Sequence, residues 1–342
     1  MKLKFLSAGA LKIMDIKPTD FDSYNTPILL CVFNRPDLTK LAIDNLRTVK
    51  PKLLYVSADG PRPGNVSDAT NCKEVRNQVE LIDWPCQVET RFSESNKGCG
   101  LAVSEALQWF FENEEEGIIL EDDTLPVPYF FLFAEEMLKK FRYDEKIFMI
   151  SGTNLYPDST LNLNYFFTRY PSAWGWATWR RAWDLYDFEI SKWVDTAGRS
   201  SVLDQIPGRV NRSYLTICFD EVVNSSVDTW DYQWIFTGLS HSALGVTAGQ
   251  NLVTNIGVQG THSNFQNRSH FLRTSDEFKI SSGKISPTEF EPHTGYERRL
   301  LFDRRLPIVL KNRLRPLANR IAKFCKFSFI RNKYVTSSEK QL

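Results

Sequence analysis

From Pro27 to about residue 150 the chain alternates short apolar runs with stretches whose apolar residues recur at helical spacing, the pattern of a layered α/β fold. "PILLCVF" (27–33), "KLLYVSA" (52–58), "CQVETRF" (86–92), "GIIL" (117–120) and "KIFMI" (146–150) read as strands. Between them, "RPDLTKLAIDNLRTV", "DATNCKEVRNQVELI", "LAVSEALQWFFENEE" and "VPYFFLFAEEMLKKF" read as helices. Strand, helix and strand in succession imply a parallel sheet with crossover helices. Ligands gather beyond the carboxyl ends of such strands. "NRPD", "ADG" and "EDD" all fall at that edge.

The alternation stops near residue 151, where the sequence turns aromatic and irregular: "YFFTRYPSAWGWATWRRAWDLYDF", then "DTWDYQWIFTGLSHSALG", then "NLVTNIGVQGTHSNF". A boundary there divides the chain into an N-terminal extension (1–26), a nucleotide-binding half (27–150), an acceptor-binding and catalytic half (151–303) and a tail (304–342). With 342 residues, 42% apolar, the chain can bury a sizeable core as one large or two closely joined domains. Its net charge of +1 excludes a globally basic nucleic-acid binder. The six cysteines include no CxxC pair, so no disulfide framework or zinc knuckle is expected and a reducing cytoplasm is the simpler location. The N-terminus lacks the uninterrupted apolar core of a signal peptide, and no stretch is long enough to span a bilayer.

Three consecutive carboxylates, Glu121, Asp122 and Asp123, follow the fourth apolar run and require a positive partner. A hard divalent cation, Mg²⁺ or Mn²⁺, takes one or two carboxylates and keeps positions for phosphate oxygens and water. The competing reading is a helix N-cap at Asp123 or Thr124 before "PVPYFFLF". Upstream, "SNKGCGLAVSEAL" brings Lys97, which with Arg35 can offset diphosphate charge, and Gly98 and Gly100, which let a backbone approach a ligand or simply make a tight turn.

"FNRPD", "SADG", "SNKGCGLAVSEALQWFF" and "GIILEDDTLPVPYFFLFAEEML", in that order, resemble the donor half of GT-A-fold glycosyltransferases, especially the N-acetylglucosaminyltransferase I group with its EDD triplet. The resemblance covers residues 27–150 well and 151–265 loosely. It implies a GT-A, Rossmann-like, mixed and mostly parallel sheet flanked by helices. It also implies that Arg35, with Asn34 beside it, approaches the donor diphosphate, and that Asp59 reads the uracil or ribose. Asp123 matches the direct metal ligand, and Glu121 and Asp122 sit where the family holds sugar and ribose hydroxyls.

An inverting transfer also needs a carboxylate base. "DTWDYQW" offers Asp228 and Asp231, and the resemblance favours Asp231 after its tryptophan; the competing reading is a charged residue on a solvent-facing helix side. His262 in "GVQGTHSNF" is a candidate for the metal or the diphosphate. Trp174 and Trp176, around Gly175, suit an acceptor platform, whereas Trp179 and Trp183 read as a core seam. The function these expectations describe is a Mn²⁺- or Mg²⁺-dependent inverting glycosyltransferase using a UDP-sugar and a glycan or glycolipid acceptor, such as a bacterial capsule or lipopolysaccharide chain. The alternatives are a sugar-nucleotide nucleotidyltransferase, for which "CVFNRPD" lacks the Gly-rich phosphate loop, and a non-catalytic glycan-binding module on a transferase fold.

Between Arg304 and Lys333 lie ten Lys or Arg and no Asp or Glu. Leu310, Leu314, Leu317, Ile321 and Phe324 recur there at spacings of four and three, with Pro316 as a helix break or start. Such a basic amphipathic pattern suits an anionic membrane surface, here the inner leaflet; packing on the catalytic body and an oligomer contact are the competing readings.

Overall fold

The computed structural model describes residues 21, 24–160, 162–257 and 286–314. In chain order the elements begin β1 (Ile28–Val32), α1 (Pro36–Leu46), β2 (Leu53–Ala58), α2 (Val66–Asn77), β3 (Gln87–Phe92), α3 (Cys99–Asn113) and β4 (Glu116–Glu121). They continue with β5 (Thr124–Pro126), α4 (Pro128–Phe141), β6 (Ile147–Ser151), β7 (Tyr165–Thr168), β8 (Trp176–Trp179) and α5 (Arg180–Trp183). Then follow α6 (Ser191–Val194), α7 (Thr196–Asp204), α8 (Arg209–Val223), α9 (Asp231–Ser240), β9 (Leu244–Ala248), β10 (Val253–Asn255) and α10 (Thr294–Leu300). All five strands and four helices expected before residue 151 are present.

Eight strands form one sheet in the order β3-β2-β1-β4-β8-β6-β9-β7, and β5 and β10 form a separate antiparallel pair. The pairs among β1 to β4 and the β6–β9 pair are parallel. The contacts of β8 with β4 and β6, and of β7 with β9, are antiparallel. The fold is therefore mixed α/β with helices on both faces. Because β8 inserts between β4 and β6, the change of composition near residue 151 falls inside one continuous sheet. The region after it is also more regular than its sequence suggests, since α6 to α9 occupy much of 191–240.

Alternation along β1 decides which helix lies on which face. Ile28, Leu30 and Val32 pack with Ile43 and Leu46 of α1 and with Phe130, Phe131 and Leu138 of α4. Leu29 and Cys31 point the other way, into Val103, Leu107 and Phe110 of α3 and the rings of Trp176, Trp183, Trp230 and Trp234. A third cluster, with Trp193, Leu215, Phe219, Phe236 and Tyr296, joins α6, α8, α9 and α10. Trp179 and Trp183 are buried, as a core seam requires. The five described cysteines are free thiols, and no described helix is long and apolar enough to cross a membrane.

Candidate functional site

The carboxyl ends of β1 and β4 lie side by side, and the Asp122 N–H donates to the Cys31 carbonyl at 3.2 Å, one step beyond the last strand pair. The chain then turns at Asp122 and Asp123 into β5. The Thr124 hydroxyl spans that turn, accepting from the Glu121 N–H at 3.0 Å and donating to the Glu121 carbonyl at 2.9 Å. The N-cap reading of Asp123 or Thr124 is thereby corrected. Helix α4 starts at Pro128, and Val127 precedes it with no side-chain cap, because proline in the first turn already lacks an N–H to satisfy.

Arg35 is the positive partner of the triplet. Its guanidinium grips both oxygens of Asp122, with Nε at 3.2 Å from Oδ2 and Nη2 on Oδ1, and Nη1 reaches Asp123 Oδ2 at 3.0 Å. Asp122 is 1% exposed. Burial raises its carboxyl to about 6 even against the pull of the Arg35 guanidinium. Asp122 is a buried counter-ion with both oxygens on the Arg35 guanidinium, and Arg35, one-third exposed, is held by the two carboxylates. Proline at the first position of α1 and the Arg35 carbonyl, which accepts from Thr39, fix where that guanidinium starts.

Asp123 sits at the tip of the turn with 17% of its side chain exposed. A second strand brings backbone against it: β10 pairs with β5, the Ile256 N–H donates to the Asp123 carbonyl at 2.8 Å, and a Cβ on Gly257 would lie 2.3 Å from Asp123 Oδ2. A side chain there would have to displace the Asp123 carboxylate. The sequence reading missed this contact, which joins residues far apart in the chain. His262 lies outside the described residues.

On the α3 side, Asp59 accepts from the N–H groups of Gly60 (2.8 Å) and Lys97 (3.0 Å) and from Asn96 Nδ2 (2.7 Å). It ties the end of β2 to the loop before α3, with its pKa raised by burial against those bonds. Lys97 pairs with Glu105 through Nζ. Asn34 donates to Asp68 at 2.8 Å, and Asp68 also holds Arg62, whose guanidinium keeps that carboxyl well below the usual range. Asn34, Asp59 and Lys97 thus all bond to the protein at the edge where a donor was expected.

Gly98 has φ +83° and ψ 163°, a conformation essentially reserved for glycine, and its Cβ would stand 2.5 Å from Asp228 Oδ2. The close approach expected for a ligand is made by Asp228 itself, which accepts from the N–H groups of Cys99 at 2.8 Å and Gly100 at 2.7 Å. Asp228 is thus the cap of α3, supplied from another part of the chain and complementary to the positive end of the helix.

Asp231 begins α9, and one of its oxygens accepts from the Thr229 hydroxyl. Burial raises its pKa, opposed by that bond and by the Tyr232 N–H. The residue as a whole is half-buried. The rings place it. Trp230, just before it, stacks on Trp176 at 5.3 Å and 21°, and its carbonyl accepts from the Tyr186 hydroxyl. Trp176 is 0% exposed, so its assignment as an acceptor platform is corrected: it is a core ring supporting the start of α9. Trp174 is half-buried against the third cluster.

These pieces share one electrostatic neighbourhood. The Cys99 thiol is pushed up by burial and then by Glu121, Asp228, Asp231 and Asp123. Glu121 is itself raised to about 8 by burial and by Asp123, Asp122 and Asp231, against the pull of Arg35. Among the described residues no group of three or more His, Cys, Asp or Glu is arranged to hold a metal by itself. A cation fitting this donor set is a hard one held through a single carboxylate and completed by phosphate oxygens and water, and the partly exposed Asp123 suits that role.

No protein-family model and no curated protein matches this chain. Among solved structures, UDP-glucose pyrophosphorylase complexed with UDP-glucose is 9% identical over 66% of this chain and 90% of that one, at a TM-score of 0.33. The apo form of UDP-glucose pyrophosphorylase is 10% identical over 65% and 90%, at 0.32. M. capricolum TrmK in complex with S-adenosyl-homocysteine is 11% identical over 67% and 99%, at 0.19.

Proposed function

We propose that this chain is a metal-dependent, inverting glycosyltransferase that moves a sugar from a nucleotide-diphosphate donor, a UDP-sugar, to a hydroxyl of a glycan acceptor such as a capsule or lipopolysaccharide chain. The observation that carries this reading is the gathering of Glu121, Asp123, Asp228 and Asp231 around Cys99 at the carboxyl edge of the parallel strands, with Arg35 paired among the acidic side chains. The excess of negative charge favours a cation. The order of motifs resembling the EDD-type GT-A enzymes supports a UDP-sugar.

Each group then has a distinct task. Asp122 and Arg35 hold the turn, so that Asp123 is presented at its tip. Asp123 would hold Mn²⁺ or Mg²⁺, which would supply charge stabilisation for a departing diphosphate. Asp231 takes the proton of the acceptor hydroxyl as that oxygen attacks the anomeric carbon. Burial strengthens its hold on a proton, the direction a base needs, and the Thr229 bond fixes its orientation.

Calorimetric titration of UDP-sugars into the protein, with and without Mn²⁺, tests the reading. Binding should require Mn²⁺ and should disappear in Asp123→Ala, with circular dichroism unchanged. Unaltered affinity in that variant removes Asp123 from the site. Formation of UTP from a UDP-sugar and pyrophosphate would replace sugar transfer by nucleotidyl transfer.

A further inference from the structure

The basic stripe expected of the tail lies mostly beyond Leu314, outside the described residues. The described residues carry a different open surface, one edge of the eight-stranded sheet. The two edges of that sheet differ. At β7 all four residues are buried, and the segment ahead of α10 covers the strand: Pro292 bridges Phe167, and the His293 N–H donates to the Phe167 carbonyl at 2.8 Å. At β3 none of the six residues is buried, Phe92 is 39% exposed, and among the described residues nothing pairs with the side facing away from β2. The N–H groups of Gln87 and Ser93 donate to the Lys52 and Ala58 carbonyls at 2.8 and 2.9 Å, so the odd-numbered residues bond inward to β2, and Val88, Thr90 and Phe92 turn their N–H and C=O groups to the free side. The side chains alternate as well. Arg91 pairs with Glu105 of α3 on one face of the sheet, whereas on the other Val88 packs against the cluster under α1 and the Arg76 guanidinium of α2 lies 5.3 Å over the Phe92 ring.

We propose that β3 pairs antiparallel with β3 of a second copy of this chain, about a twofold axis at Thr90, so that the two sheets run on as one. An open row of N–H and C=O groups is a template for another strand, and the sequence of β3 selects which strand. Groups on the free side must meet groups on the free side, so the permitted registers differ by steps of two residues. With Thr90 opposite Thr90, Glu89 of each copy stands opposite Arg91 of the other, at the positions where facing side chains come closest, and Val88 stands opposite the exposed Phe92 on the other face. One step either way sets Glu89 against Glu89 or Arg91 against Arg91, like charges facing each other across the axis, which destabilises the pair. The strand is thus complementary to itself in one register, as a twofold contact requires. The inference goes beyond the catalytic reading and is independent of it, since none of the carboxylates following β4 or beginning α9 takes part.

Light scattering of the full chain over a concentration series provides the test, and the mass should rise to twice that of one chain. Glu89→Arg sets like charges opposite Arg91 and should weaken association about 10-fold or more, as should Arg91→Glu. An equimolar mixture of the two variants should recover association, because every facing pair is then again of opposite sign. Thr90→Pro tests the backbone alone: the Thr90 N–H faces away from β2, so proline there removes no bond within the sheet and should abolish the dimer with circular dichroism unchanged. A monomer at every concentration, a dimer that Glu89→Arg or Thr90→Pro leaves intact, or a mixture of folded variants that does not recover association overturns the proposal. Should Arg91→Glu fail to fold for want of its bond to Glu105, Thr90→Pro and Glu89→Arg decide: loss of the dimer in both supports the β3 contact, and persistence in either overturns it.

Discussion

Two acidic regions meet at the strand edge, and they are stabilised by different physics. In the turn after β4, the Asp122 carboxylate is answered by a full charge, the Arg35 fork, at the cost of desolvating both ions. At the entrance to α9, Asp228 is answered by two backbone N–H groups of α3 and Asp231 by the Thr229 hydroxyl and a helix N-terminus. An ion pair fixes position rigidly and is unforgiving when one member is removed. Dipolar partners cost less to lose and leave a carboxylate free to gain and release a proton. The first arrangement suits a support and the second suits a base.

The largest expected effect breaks the first region. Arg35→Met leaves the nearly inaccessible Asp122 without its counter-ion and should lower unfolding stability by about 3 kcal/mol, the low end of the range for buried pairs, since Arg35 itself is one-third exposed. Urea denaturation measures it, and adding Asp122→Asn should recover part of the loss. Recovery of none would mean that Arg35 acts through something other than that carboxylate.

Asp231→Asn addresses the second region and should leave stability nearly intact while turnover falls by about 10²-fold or more, with donor affinity retained. Steady-state transfer with the acceptor, alongside donor titration, separates the two. Turnover close to wild type moves the base elsewhere.

Asp228→Ala is milder. Losing a helix cap costs about 1 kcal/mol, and freeing the loop before α9 should also reduce turnover, though less than Asp231→Asn. A melting temperature unchanged by the substitution would show that the N–H groups of Cys99 and Gly100 are as well served by water.

The same contrast explains what could be read from the sequence. The strands and helices before residue 151 were legible because their signal is local, one periodicity per element, and the triplet followed a strand as directly in the chain as in space. The sequence marks Arg35 as a cation near the triplet but does not show which carboxylate it pairs with. Its pairing with Asp122 joins two strand ends, and only the adjacency of β1 and β4 reveals it. Trp176 was assigned to the surface because Gly175 suggested a loop, whereas β8 lies in mid-sheet between strands that precede it, a long-range arrangement that local pattern does not encode. For α8 a signal was present and passed over: Leu215, Cys218, Phe219 and Val222 follow helical spacing. The Gly257 contact with Asp123 had none, since a glycine needed for close approach looks like any other.

The smallest expected effect sharpens the comparison through pH. Glu121 lies between the two regions, and its carboxyl is raised from 4.5 to about 8, first by burial and then by Asp123 and Asp122. The native state therefore holds this proton more tightly than the unfolded chain does, so the contribution of Glu121 to stability is greatest below its unfolded pKa, declines as pH rises toward 8, and is flat above that. Glu121→Gln keeps the shape and removes the titration. The wild type should lose more melting temperature than the variant between pH 5 and pH 8, by a few degrees at most, and the variant should be the more stable of the two at pH 8. Asp123 is the charge that raises Glu121 most after burial itself, so Asp123→Asn alone should flatten part, but not most, of that pH dependence. Equal slopes in wild type and Glu121→Gln would mean that Glu121 is already ionised in the native state, and that the edge carries one more negative charge for a cation to meet.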